Sequence, residues 1–171
     1  MLPQVIQGIP PLAVYLRGVL ACQGHDRSAG PPWSRPGFAY SFRVNVIGVG
    51  VDLVDVGRIE RLLERRPRFA ERVFAEEERS YCERSPLVRA TCYAARWAAR
   101  EACVKALGGV PGGWRWHDIR VIRRRGGAPE MELHGPARTR ARALGAERVL
   151  VSFSHERHAA VAFCLALGAS A

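Results

Sequence analysis

The strongest constraint on the fold is the stretch from Pro86 to Leu107, which reads as one long helix closed by Gly108 and Gly109. Proline suits the first turn of a helix, where its missing N–H is not needed, and glycine suits the position just past the end. Some 20 residues at 1.5 Å each make a rod of roughly 30 Å. Tyr93, Trp97, Val104 and the alanines around them are expected to face a core, with Trp97 serving packing. Later segments alternate as strands, so the chain reads as α+β, an antiparallel sheet packed on one long helix.

Within that helix, Glu101 and Lys105 stand four residues apart, so they share one face. A solvated ion pair at this spacing contributes about 0.3–0.5 kcal/mol. The alternative is functional. Lys105 is the only lysine in the chain, every other basic residue besides the histidines being arginine. A compact ammonium on a flexible stem binds phosphate as a point charge, which a planar guanidinium does not imitate.

With 171 residues the chain is of one-domain length, and its formal net charge of +10 implies an acidic partner. Five cysteines, Cys22, Cys82, Cys92, Cys103 and Cys164, lack a CxxC pair or zinc spacing. They are expected to be buried or half-buried thiols in a reducing, cytoplasmic setting. No apolar run approaches the roughly 18 residues of a membrane span. Residues 1–44 scatter prolines and glycines without a period. A signal peptide is disfavoured because no basic start precedes the apolar part and Pro10, Pro11 and Arg17 interrupt it. That stretch is expected to be a disordered extension or a product of an early start codon, with the folded domain at 45–171.

Order begins with Val46-Ile47-Gly48-Val49-Gly50-Val51-Asp52-Leu53. The odd positions are apolar and are expected to form the core face. The even face, with Gly48, Gly50 and Asp52, is nearly bare, so another backbone or a ligand can approach it. Asp55 suits the N-cap of the next helix, which leaves Asp52 without a structural task. From Val56 to Arg66, Ile59, Leu62 and Leu63 form an apolar stripe while Arg58, Arg61, Arg65 and Arg66 crowd the surface. Either this face is simply solvated or an acidic helix docks on it; Arg68, Phe69 and Arg72 extend it beyond Pro67. A short helix at 75–82 carries Glu76, Glu77 and Glu78 in its first turn, where the helix dipole favours them. Two hairpins follow, 117–133 around Gly126-Gly127 and 149–167 around His155, with a short helix at 136–144 between them.

Asp52 and Glu101 are acids at polar interruptions of apolar elements. Two carboxylates sharing one Mg²⁺, with water and phosphate oxygens completing its shell, would explain both. Lys105 beside them would take phosphate charge, an arrangement suited to attack on a diphosphate. His155, at a strand end, is either structural or ligand-facing. No Walker loop, GxGxxG or recognisable Ser/His/Asp set is present.

Three separated stretches resemble the holo-acyl-carrier-protein synthases, the short bacterial type of 4′-phosphopantetheinyl transferase. They are Ile47-Gly48-Val49-Gly50-Val51-Asp52-Leu53-Val54 with Arg58-Ile59, then Arg96-Trp97-Ala98-Ala99-Arg100-Glu101-Ala102 with Lys105-Ala106-Leu107-Gly108, then Val151-Ser152-Phe153-Ser154-His155-Glu156. The resemblance implies transfer of phosphopantetheine from coenzyme A to a serine of apo acyl carrier protein, releasing adenosine 3′,5′-bisphosphate, in fatty-acid and other lipid biosynthesis. It implies Mg²⁺ on Asp52 and Glu101, diphosphate contact by Lys105, and nucleotide and 3′-phosphate contact by Arg96, His155 and Ser154. It also implies carrier docking on Arg58, Leu62, Arg66, Arg68, Phe69 and Arg72, and a homotrimer with active sites between subunits, which the bare Gly48/Gly50 face would permit. The family usually has lysine where this chain has Arg100, and Gly-Lys-Pro where it has Gly127-Ala128-Pro129. Arginine keeps the charge but changes the shape, so the expectation at position 100 is an altered phosphate contact; at Ala128 a charge is lost.

Two other readings stay open on sequence grounds. A basic nucleic-acid-binding domain would account for the charge, but it would want aromatics interleaved with the arginines and gives Asp52 and Glu101 no task. A catalytically weakened relative would account for Arg100 and Ala128.

Overall fold

The structure is a computed structural model that describes residues 45–123 and 127–169. The expectation for residues 1–44 lies outside them, as does Cys22. The first element is strand β1 (Asn45–Asp55), followed by helices α1 (Val56–Arg65), α2 (Phe69–Val73) and α3 (Glu76–Cys82). A short 3-10 turn, Pro86–Val88, leads into the 18-residue helix α4 (Arg89–Ala106). Strands β2 (Ile119–Arg123) and β3 (Pro129–Leu133), helix α5 (Gly135–Ala143) and strands β4 (Ala146–His155) and β5 (Ala159–Gly168) complete the domain. The strands form one sheet in the order β1-β5-β4-β3-β2, with every neighbouring pair antiparallel. This is the α+β architecture expected from the sequence.

Local chemistry explains the element ends. Asp55 caps α1 by accepting the Arg58 N–H at 2.6 Å, a contact type worth about 1 kcal/mol. At the far end of α4, Gly108 and Gly109 take positive φ angles of 62° and 91°. In that conformation their N–H groups reach the carbonyls of Lys105 and Val104, which the helix itself leaves unpaired.

Against the sheet, α4 presents Ala94, Ala95, Ala98, Ala99, Ala102 and Ala106, all buried. A surface of methyl groups can lie almost on the backbone of a strand, provided the strand has no side chains there. Gly48 and Gly50 meet that requirement: a Cβ on Gly50 would collide with the Ala102 carbonyl oxygen and lie 2.6 Å from Ala106 N. The expected faces of β1 are therefore exchanged. The glycine face is the one against the core, and Val49, Val51 and Leu53 are 56%, 54% and 69% exposed. Register extends this open apolar face across the sheet, since Val51 opposes Phe163 and Leu53 opposes Val161, with Leu150 exposed on β4. Nor can the bare glycine face serve contacts between subunits, because α4 already covers it.

Two further expectations change. Cys82 and Cys92 are not free thiols but a disulfide, joining the end of α3 to the start of α4 across a Cα–Cα distance of 5.4 Å. Cys103 and Cys164 are buried free thiols as expected, and burial pushes the Cys164 thiol up to about 12. Glu78 does not merely face the helix dipole. It is buried, accepts the N–H groups of Ala75 and Val121 at 3.0 and 2.9 Å, and pairs with Arg100.

Candidate functional site

Asp52 stands on the core face of β1, two residues beyond Gly50, where the strand passes under α4. The side chain of Asp52 is 17% exposed and that of Lys105 53%. Lys105 reaches back along the helix to donate from Nζ to Asp52 Oδ1 at 2.8 Å and to the Val51 carbonyl at 2.9 Å. The lone lysine thus takes Asp52 as its partner, not Glu101 as the four-residue spacing alone suggested. The Val51 carbonyl as its second acceptor was not legible in the sequence, because backbone acceptors carry no residue signature.

Glu101 is half-buried one turn before Lys105. Its carboxyl holds its proton more tightly than an ordinary glutamate, first because burial disfavours the charge and then because the Asp52 carboxylate repels it; Lys105 and Arg58 pull the other way. Two carboxylates close enough to repel one another, at the rim of a core, form a donor set for a hard divalent cation. They supply two of its ligands and leave the rest of an octahedral shell for water or phosphate oxygens. Among the described residues no third His, Cys, Asp or Glu joins them. The pair fits Mg²⁺, which tolerates few protein ligands, better than a metal that needs a full protein cage.

Arg58, exposed on α1, is near enough to act on Glu101 electrostatically. Arg66, Arg68 and Arg72 are exposed along the same α1–α2 segment and Leu62 is half-buried. Phe69 is only partly available, since its ring stacks on Trp97 at 5.7 Å and meets Phe74 edge-on at 6.1 Å. Trp97 in turn lies 4.6 Å from Trp116 and sits one turn before Glu101, so the basic surface runs up to the acidic pair.

The remaining predicted residues lie elsewhere. Arg96 and Lys105 are nine residues apart, which places them on opposite sides of α4 at 100° per residue. Arg96 is 4% exposed and lines a cavity of about 510 Å³ with Tyr81, Arg84, Val121 and Arg123, on the β2 side of the helix. His155 ends β4 and is exposed; in the same row of the sheet it opposes Ala160, which opposes Val54 on β1. Ser154 lies in the row with Val161 and Leu53, on the open apolar face. One chain therefore unites Asp52, Glu101 and Lys105 but leaves Arg96, Ser154 and His155 apart from them.

Arg100 corrects an expectation. It is 0% exposed, with its guanidinium on Glu78, on the Arg96 carbonyl at 3.1 Å and over the Phe74 ring at 4.8 Å. An arginine so enclosed makes no phosphate contact; it ties α4 to α3 and β2. Beside Ala128, Arg123 Nε donates to the Gly127 carbonyl at 3.0 Å.

A family model described as the 4′-phosphopantetheinyl transferase superfamily matches residues 48–164. The chain is 50% identical over 121 residues to a holo-[acyl-carrier-protein] synthase of Anaeromyxobacter dehalogenans, an alignment that spans 68% of this chain and 92% of that protein. Among solved structures, a holo-ACP-synthase from Plasmodium yoelii is similar with a TM-score of 0.64 at 28% identity, covering 74% of this chain and 98% of the other. A holo-(acyl-carrier-protein) synthase from Bacillus anthracis in complex with CoA (3′,5′-ADP) is similar with a TM-score of 0.59 at 29% identity, covering 72% and 98%.

Proposed function

Since the chain belongs to the 4′-phosphopantetheinyl transferase superfamily, we propose that it is a holo-[acyl-carrier-protein] synthase, moving 4′-phosphopantetheine from coenzyme A to a serine of an apo acyl carrier protein. The observation that carries this reading is the convergence of Asp52, Glu101 and Lys105, from a strand and a helix about 50 residues apart, on one partly covered point.

Asp52 and Glu101 would hold Mg²⁺ together with the diphosphate of coenzyme A; when bound, the ion offsets charge on that diphosphate. Lys105 supplies a second positive charge. Its stem is half-exposed, so its ammonium can serve a phosphate oxygen without leaving Asp52 far behind. The carrier serine hydroxyl attacks the phosphorus that bears pantetheine, a new P–O bond forms, and the bond to the other phosphate breaks. The serine proton goes to a carboxylate of the pair, and the departing group is adenosine 3′,5′-bisphosphate. Arg58, Arg66, Arg68 and Arg72 with Leu62 and the free edge of Phe69 would receive the acidic carrier, leaving its serine beside Glu101.

Arg96, His155 and Ser154 would bind the nucleotide end, but on a neighbouring subunit's side of the site. The separation of Arg96 from Lys105 across α4 supports this, as does the open apolar face of Val49, Val51, Leu53, Leu150, Val161 and Phe163, a surface suited to association with other copies. We therefore read the active form as a homotrimer with shared sites. Among the described residues no helix is long and apolar enough to cross a membrane, and a cytoplasmic setting is part of the same proposal.

The deciding experiment incubates the protein with coenzyme A, Mg²⁺ and several apo carrier proteins and measures intact carrier mass. A phosphopantetheine adduct on the serine is expected. Absence of the adduct with every carrier would sink the reading.

A further inference from the structure

Tyr81 is surrounded by three arginines. The Arg96 guanidinium lies 4.5 Å from its ring centre, that of Arg84 lies 5.1 Å away, and Arg123 Nη1 donates to the Tyr81 hydroxyl at 3.0 Å. All four residues line the cavity of about 510 Å³, along with Glu76, Glu77 and Glu78. Glu78 is already committed to Arg100 and two backbone N–H groups. Among the described residues Arg96 Nε has no hydrogen-bond partner, although it is buried. An enclosed, unpaired guanidinium N–H beside two further arginines points to an anionic group within the cavity.

What orients Arg96 is the disulfide. Arg96 Nη1 donates to Cys92 Sγ at 2.8 Å and to the Cys92 carbonyl at 3.4 Å, one helical turn back. Cys92 is bonded to Cys82, which follows Tyr81 in the chain. The same bond therefore fixes both the ring on which Arg96 lies and the sulfur that takes one of its N–H groups. Cys82 is 1% exposed, whereas Cys92 is half-buried and so the more accessible of the two residues.

We propose that the Cys82–Cys92 disulfide is a redox-sensitive positioning element for Arg96, and that a dithiol reductant weakens binding of a phosphorylated nucleotide by releasing it. A reductant thiolate attacks Cys92 Sγ, the S–S bond breaks, and Cys82 leaves as a thiolate that takes up a proton. The second thiolate of the reductant then closes its own disulfide and frees Cys92, which takes a proton in turn. Two electrons pass to the protein sulfurs and the dithiol is oxidised. The loop from Cys82 to Cys92 is then untied, Tyr81 loses one of its anchors, and Arg96 must be ordered at the moment of binding.

This inference rests on the proposed assignment of Arg96 to the 3′-phosphate. The test uses full-length protein and thiol-free probes, adenosine 3′,5′-bisphosphate and adenosine 5′-monophosphate, titrated calorimetrically into oxidised protein and into protein reduced with a dithiol. Thiol counting confirms each state. The bisphosphate is expected to bind about fivefold more weakly to the reduced form, with little change for the monophosphate. Cys92→Ser should behave as the reduced form whether or not reductant is added, and reductant titration of the unaltered protein keeps the test intact if that variant does not fold. Equal bisphosphate affinity in both states, an equal loss for the monophosphate, or failure of the two cysteines to pair under oxidising conditions would each overturn the proposal. Carrier modification by the unaltered protein reports separately on the transferase reading, so a protein that forms the adduct yet shows no redox effect refutes only this inference.

Discussion

Lys105 Nζ lies 2.8 Å from Asp52 Oδ1, joining the only lysine of the chain to an aspartate 53 positions earlier, on the strand beneath its helix. The ammonium is half-exposed, so the pair is screened and contributes at most about 1 kcal/mol to folding. Its placement beside Glu101 matters more for chemistry. Lys105→Ala is accordingly expected to lower carrier modification at least about 100-fold while shifting the thermal midpoint by no more than a few degrees. Rates measured by intact carrier mass, alongside a melting curve, check both halves. A variant with near-normal turnover would remove Lys105 from the site.

Glu101→Gln keeps the shape of the side chain and removes the charge. Calorimetric titration with MgCl₂ in the presence of coenzyme A is expected to show loss of the metal dependence, and carrier modification should fall below detection, with the circular dichroism spectrum unchanged. Asp52→Asn should do the same. Retained Mg²⁺ dependence in both variants would place the ion elsewhere.

Gly50→Ala tests the packing of α4 on β1. The added methyl collides with the Ala102 carbonyl, which is part of a helix held by the sheet and cannot move alone. Overpacking of this kind costs about 1–3 kcal/mol, and with backbone as the obstacle the upper end is expected. Denaturant unfolding should show a lower midpoint for Gly50→Ala. For comparison, Gly57→Ala meets only the ends of the Arg61 and Asp55 side chains and should be nearly neutral.

Glu83 provides a pH dependence whose sign is fixed by its partners. Arg89 Nε donates to it at 2.7 Å and Tyr93 Oη at 2.8 Å; the Arg89 contact does most to hold its carboxyl below the usual glutamate range, against the opposing effect of burial and with help from Tyr93. A lowered folded-state value means the stabilisation is complete above the unfolded glutamate range and is lost as pH falls through the folded one. The contact is largely exposed, so the effect is small. In acid unfolding curves, Glu83→Gln should show a shallower loss of stability in that window than the unaltered protein; identical curves would remove Glu83 from the balance.

Phe163→Asp places a charge in the open apolar face, opposite Val51. Light scattering is expected to find trimers for the unaltered protein and monomers for the variant, with carrier modification lost on dissociation. Monomers that remain fully active would refute the shared site.

Much of this molecule was readable before any tertiary contact was known, because the relevant forces act within a few residues. Asp55 caps α1 through an N–H three positions away, Gly108 and Gly109 end α4 through the carbonyls of Lys105 and Val104, three and five positions behind them, and the spacing of Glu101 and Lys105 places them one turn apart. The alternation of β1 likewise marked a strand with one bare face. It could not tell which face would be buried, since periodicity reports two faces and the outcome depends on the shape of the partner: an alanine-lined helix fits closest over glycine, so the valines and Leu53 were left outside. Long-range neighbours likewise decided the rest. Lys105 turned to Asp52, Arg100 was drawn inward by a buried carboxylate on α3, and Cys82 met Cys92 because α3 ends where α4 begins. Charge, capping and spacing are properties of the chain; which side chain a charge or a sulfur meets is a property of the packed fold.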